Sequence, residues 1–127
     1  MMPAVPRSRV LAAVVALGLA GCGGASPGET AARSACTAYA NTLRHQVATT
    51  VEQVDAIRET ARSDAGRAAD ADPRWQALQR DIEDFFARQG TLAQQSSVDD
   101  VDAYFAADRR VQADCADAGE DIGPLHP

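Results

Sequence analysis

The chain contains no lysine, and all twelve of its basic residues are arginines. It has only two histidines, His45 and His126, three cysteines and six aromatic residues, and no segment alternates apolar and polar residues as a strand would. Each shortage closes a class of function. Two separated histidines and three scattered cysteines do not supply the clustered ligands of a zinc site. No Gly-x-Ser-x-Gly turn accompanies His45, so nothing suggests a serine hydrolase. No glycine-rich loop of the phosphate-cradling kind occurs, and no cofactor or metal is expected. Acids outnumber bases eighteen to twelve, for a net charge of −6. Nucleic-acid binding needs a basic patch that displaces counterions, and this balance argues against it. The expectation is a protein that is not an enzyme.

What the chain does have begins at its start. Met1 to Arg9 carries two positive charges, Arg7 and Arg9, and Val10 to Ala20 is an apolar run of eleven residues. A helix that spans a bilayer needs about 20 apolar residues, so this run fits the central part of a signal peptide instead. The small residues Ala20 and Gly21 follow, and then Cys22. Leu19-Ala20-Gly21-Cys22 resembles the lipobox of a bacterial lipoprotein precursor. The resemblance covers the first 22 residues. It implies that residues 1–21 are a cleaved signal peptide and that Cys22 is the lipid-attachment residue. It also implies that the protein is held at the cell membrane, on its extracytoplasmic face. One acyl chain binds a membrane only marginally, whereas two at about 0.8 kcal/mol per buried methylene anchor stably. Abundant alanine and arginine with no lysine is the signature of GC-rich coding. Together with the lipobox, the chain is similar to small actinobacterial lipoproteins of unknown function.

Cys22 to Pro127 is 106 residues long, the size of one small domain, and carries ten arginines against eighteen acids, a net charge of −8. Such a surface gains nothing from anionic lipid headgroups, so the anchor must hold the protein at the membrane. Residues 22–28 read as the lipidated cysteine and a flexible Gly/Ser-rich tether. Residues 29–121 read as a helical domain and 122–127 as a C-terminal tail. The two remaining cysteines, Cys36 and Cys115, are most simply one disulfide in an exported protein, with free thiols or intermolecular pairing as the alternative.

Three apolar stripes at helical spacing run through the domain. The first is Cys36, Ala40, Leu43, Val47, Thr50, Val54, Ile57 and Ala61; the second is Trp75, Leu78, Ile82, Phe85 and Leu92; the third is Val98, Val101, Phe105, Val111 and Cys115. Asp72-Pro73 offers a cap and a first-turn proline for the second stripe. Ser97 and Asp100 have capping-box spacing before the third. The fold class is therefore all-α, and the disulfide restricts its topology. Three antiparallel helices would put Cys36 and Cys115 at opposite poles, tens of ångströms apart at about 1.5 Å per residue, whereas bridged Cα atoms lie about 6 Å apart. An even number of passes is required. Either the first stripe breaks near Thr49-Thr50, giving a small disulfide-stapled bundle of about four helical segments, or a long helical hairpin forms. The hairpin would bury too little surface alone and should dimerise or fold over, so a homodimer belongs to that alternative. The compact bundle is favoured.

Two groups of residues are candidates for function. Asp99 and Asp102 share a helix face and form a candidate cation edge, although Asp100 does not join them and no glycine-centred calcium loop is present. Acids in the first turn also complement the helix dipole, which accounts for them without a metal. The adjacent pairs Phe85-Phe86 and Tyr104-Phe105 point about 100° apart on a helix, so one member of each can face outward. Phe86 and Tyr104, with Arg109 and Arg110 beside them, are the candidate interaction residues. The reading is a lipid-anchored, non-catalytic interaction or recruitment module of the cell envelope. Its envelope protein partner is not identified, and a small-ligand or cation-binding lipoprotein is the alternative.

Overall fold

Local signals set where each helix begins. In a computed structural model, which describes residues 24–44, 47–94 and 97–125, four helices follow one another: α1 (Pro27–Leu43), α2 (Val51–Ala71), α3 (Gln76–Gln94) and α4 (Val98–Asp117). The signal peptide, Cys22, His45 and His126 lie outside the described residues. The Ser97–Asp100 capping box forms as its spacing predicts: Asp100 N donates to Ser97 Oγ (3.2 Å) and Ser97 N to Asp100 Oδ2 (3.1 Å). Asp72 caps as expected, with Arg74 N donating to its Oδ1 (3.0 Å), but the turn it opens is a short 3-10 helix, Pro73–Trp75, that leads into α3.

The break expected near Thr49-Thr50 is capped by Thr50 with Gln53, whose side chain accepts from both Thr49 N (2.7 Å) and Thr50 N (3.2 Å). α1 begins at Pro27 rather than Glu29, since Ser26 is its N-cap and Pro27 occupies the first turn, where a missing N–H costs nothing. Gly28 is thus in the helix, not the tether. A Cβ there would lie 3.2 Å from Asp72 Cβ and 3.3 Å from the Trp75 ring, so any side chain would push these neighbours back by a few tenths of an ångström.

The helices alternate in direction, as contacts at matching heights show. Ser34 Oγ donates to Asp64 Oδ2 (2.6 Å), Arg58 Nη2 to Gln89 Oε1 (2.7 Å), Arg110 Nη2 to Asp84 Oδ2 (2.8 Å), and Arg33 Nε to Ala118 O (2.7 Å). The result is an up-down-up-down bundle of 17-, 21-, 19- and 20-residue helices, the compact arrangement rather than the hairpin. Cys36 and Cys115 are bonded, with Cα atoms 5.7 Å apart and both residues fully buried. Closing a loop between residues 79 apart restricts the unfolded chain by about 4–5 kcal/mol on the chain-entropy account.

The core is uneven. α1 and α2 meet through Ala32, Ala35, Ala61, Ala65 and Ala68, all fully buried, and small side chains let two helices approach closely. α3 supplies the bulk as Leu78, Ile82, Phe85 and Phe86, packed on Tyr39 of α1 and Val111 of α4. Burying a side chain such as Phe85 stabilises the fold by about 1.5–3 kcal/mol. α4 ends on Gly119 at φ +85°, with Glu120 N bonded to Cys115 O (2.8 Å) and Gly119 N to Ala116 O (2.9 Å). This left-handed cap reverses the chain. Residues 122–125 of the segment read as a tail then lie back along α1: Ile122 and Leu125 pack on the core, and Gly123 O accepts from Arg44 Nε (3.1 Å).

Candidate functional site

The bundle gathers its unusual side chains at three heights. At mid-height, facing α1 from α4, Asp108 is 1 % exposed and surrounded by donors. Arg44 Nη2 reaches both its oxygens (2.9 and 2.8 Å), Gln112 Nε2 donates to Oδ2 (2.6 Å), and Tyr39 Oη donates to Oδ1. Burial, then the adjoining carboxylate, pushes the Tyr39 phenol far above its ordinary range, so it remains a neutral donor. Arg44 also stacks on the Tyr39 ring (5.4 Å) and is itself nearly buried. The cluster closes the seam between α1, α4 and the returning segment. Apart from Gln112, one turn further along α4, the partners of Asp108 lie 64 and 69 residues away.

Nearer the tether, Asp114 of α4 meets Asp81 of α3. Burial, then hydrogen bonding and repulsion from Asp81, with Asp117 adding to them, pushes the Asp114 carboxyl up to about 7. Arg110 Nε lies 3.7 Å from Asp81 and its Nη2 2.8 Å from Asp84, so Arg110 is committed to the α3–α4 interface. Exposed Arg109 makes no ion pair among the described residues.

The aromatic candidates separate. Phe86 is 5 % exposed and does not face outward, which corrects its reading as a contact residue. The reason is the breadth of the α3 face: Phe85 turns toward Tyr39 (5.0 Å between centroids) and Tyr104 (4.8 Å). Phe86 turns toward α2, where Arg58 and Arg62 cover its ring at 5.8 and 5.0 Å. Tyr104 is half-buried between Phe85 and Phe105, and burial raises its phenol above the ordinary range.

At the pole far from the tether, the turns joining α1 to α2 and α3 to α4 stand at the same end. Val47, Val51, Val98 and Val101 are there, exposed by 56, 72, 77 and 37 %. They are the large hydrophobic residues in the open among the described residues. Asp99 and Asp102 are exposed at this pole, while Asp100 is turned back into its cap. No group of three or more metal-ligating side chains occurs among the described residues. The sequence stripes had placed Val47, Val98 and Val101 in the core; positions in the first turn of a helix or the loop before it lift them, with Val51, above the neighbouring helices. At the opposite end a shallow cleft of about 570 Å³ opens between α1 and α2, lined by Ala25, Pro27, Ala31, Ser34, Arg67 and Ala71. No described helix is long and apolar enough to cross a membrane. No protein-family model, curated protein or solved structure matches the chain.

Proposed function

We propose that the chain is a lipid-anchored, non-catalytic recruitment module of the cell envelope, held at the extracytoplasmic face by Cys22. The observation that carries this reading is the polarity of the bundle. Its first helix begins at Pro27, five residues after Cys22, at one pole, and its exposed valines stand at the other. Buried polar groups such as Asp108 and Tyr39 are satisfied by one another, as in a scaffold. Anchoring confines the scaffold to a plane and raises its effective concentration near membrane partners. The test is crosslinking in cells with the tagged full chain beside its Cys22→Ser form. One stoichiometric protein, weakened or lost without the lipid, is expected. Equal capture by both forms would remove recruitment through the anchor.

A second reading, a small-ligand lipoprotein, is favoured by the cleft between α1 and α2. A bound ligand must raise the melting temperature. No shift across divalent metals and envelope metabolites would leave this reading without support.

A further inference from the structure

The pole that bears the valines has a definite chemistry. Glu52 and Asp55 stand in the first turns of α2, and Asp99 and Asp102 in those of α4, all of them exposed. The nearby cations are engaged: Arg44 is nearly buried against Asp108, and Arg58 pairs with Asp55 (3.4 Å) and donates to Gln89. Among the described residues this end is thus apolar and net negative. First-turn acids do complement helix dipoles, but that leaves Val51 and Val98 in water, at 72 and 77 % exposure, on the same turns.

Resting on the recruitment reading above, we infer that this pole docks a basic, apolar segment of a partner protein, a helix or loop carrying Arg or Lys around aliphatic side chains. The charge decides among occupants. An anionic lipid surface is repelled, and two copies meeting pole to pole would oppose like charges. A cationic segment gains encounter rate from the carboxylates and affinity from covering the valines, whose stiff side chains lose little freedom on burial.

The experiment places a photocrosslinking amino acid at Val51 or Val98 of the full lipidated chain in cells, and at Gln76 as a control at the tether pole. The expected result is crosslinking from both valine positions, and not from Gln76, to a segment of another protein with net positive charge and aliphatic residues. Val51→Asp with Val98→Asp should lower capture at least tenfold without changing the melting temperature by more than a few degrees. Glu52→Gln with Asp99→Asn and Asp102→Asn should lower it several-fold, an effect that shrinks at high salt. Crosslinks from the pole to lipid, to a second copy or to an acidic segment would overturn the inference. So would a partner captured only through another face, although recruitment itself would stand. No stoichiometric protein partner from any position would overturn both.

Discussion

Asp108 and Asp114 are six residues apart on one helix and meet opposite electrostatic fates. Asp108 faces α1, where a guanidinium, a phenol and an amide converge on it. Asp114 faces α3, where the nearest ionisable group is a second carboxyl, that of Asp81. Three donors thus compensate the burial of Asp108, whereas at Asp114 burial and a neighbouring carboxyl both oppose the charge. The difference teaches that a carboxylate's role in this bundle is set by the helix it faces rather than by its place in the sequence. A third class, Asp99 and Asp102, faces water and takes part in neither.

The comparison breaks most sharply at Asp108. Asp108→Ala leaves Arg44 buried without its counter-charge and should cost about 3–5 kcal/mol, read as a lower urea midpoint. Tyr39→Phe, which removes one donor and leaves the rest of the cluster, should cost about 1–2 kcal/mol. An equal loss from both would mean that the pair with Arg44 is not what holds the seam. The disulfide from Cys115, the residue after Asp114, to Cys36 of α1 is a third tie between these helices. Cys36→Ala with Cys115→Ala should lose about 2–5 kcal/mol in the same unfolding measurement.

Asp114 should behave in the opposite sense. Its folded pKa lies above the ordinary carboxylate value, so the folded state holds a proton that the unfolded state gives up. The associated stability is present below about pH 4 and falls as pH rises through about 7. Asp114→Asn should remove that decline and stabilise the protein at pH 8. The gain is about 1 kcal/mol, because the carboxyl remains partly in water and is screened. A pH–stability profile unchanged by the substitution would show that Asp81 does not oppose the charge. The smallest effect belongs to the exposed class: Asp99→Asn with Asp102→Asn should alter stability by less than about 1 kcal/mol. Calcium or magnesium should leave the melting temperature where it is; a rise abolished by this double substitution would restore the cation edge.

Much of the backbone was legible because its causes are local. Ser97 and Asp100, or Asp72 and Pro73, act within three or four residues, and a cap can be recognised from that spacing alone. Ser26-Pro27 carried the same kind of signal for α1, masked by the glycines that precede it. The Thr49–Thr50 ambiguity was settled by one glutamine side chain. Phe86 was misplaced because a helical wheel gives the angle between neighbours but not the width of the face that receives them.

An all-α chain and, through two cysteines most simply read as one disulfide, an even number of passes were legible without the fold, which then decided between four segments and a long hairpin. Both legible features follow from short-range capping, helical periodicity and one covalent constraint. The fold alone decided which acids are buried, which are paired and which face water, and that residues 122–125 return along α1. Those outcomes depend on partners more than sixty residues away, brought within hydrogen-bonding distance only when the helices pack.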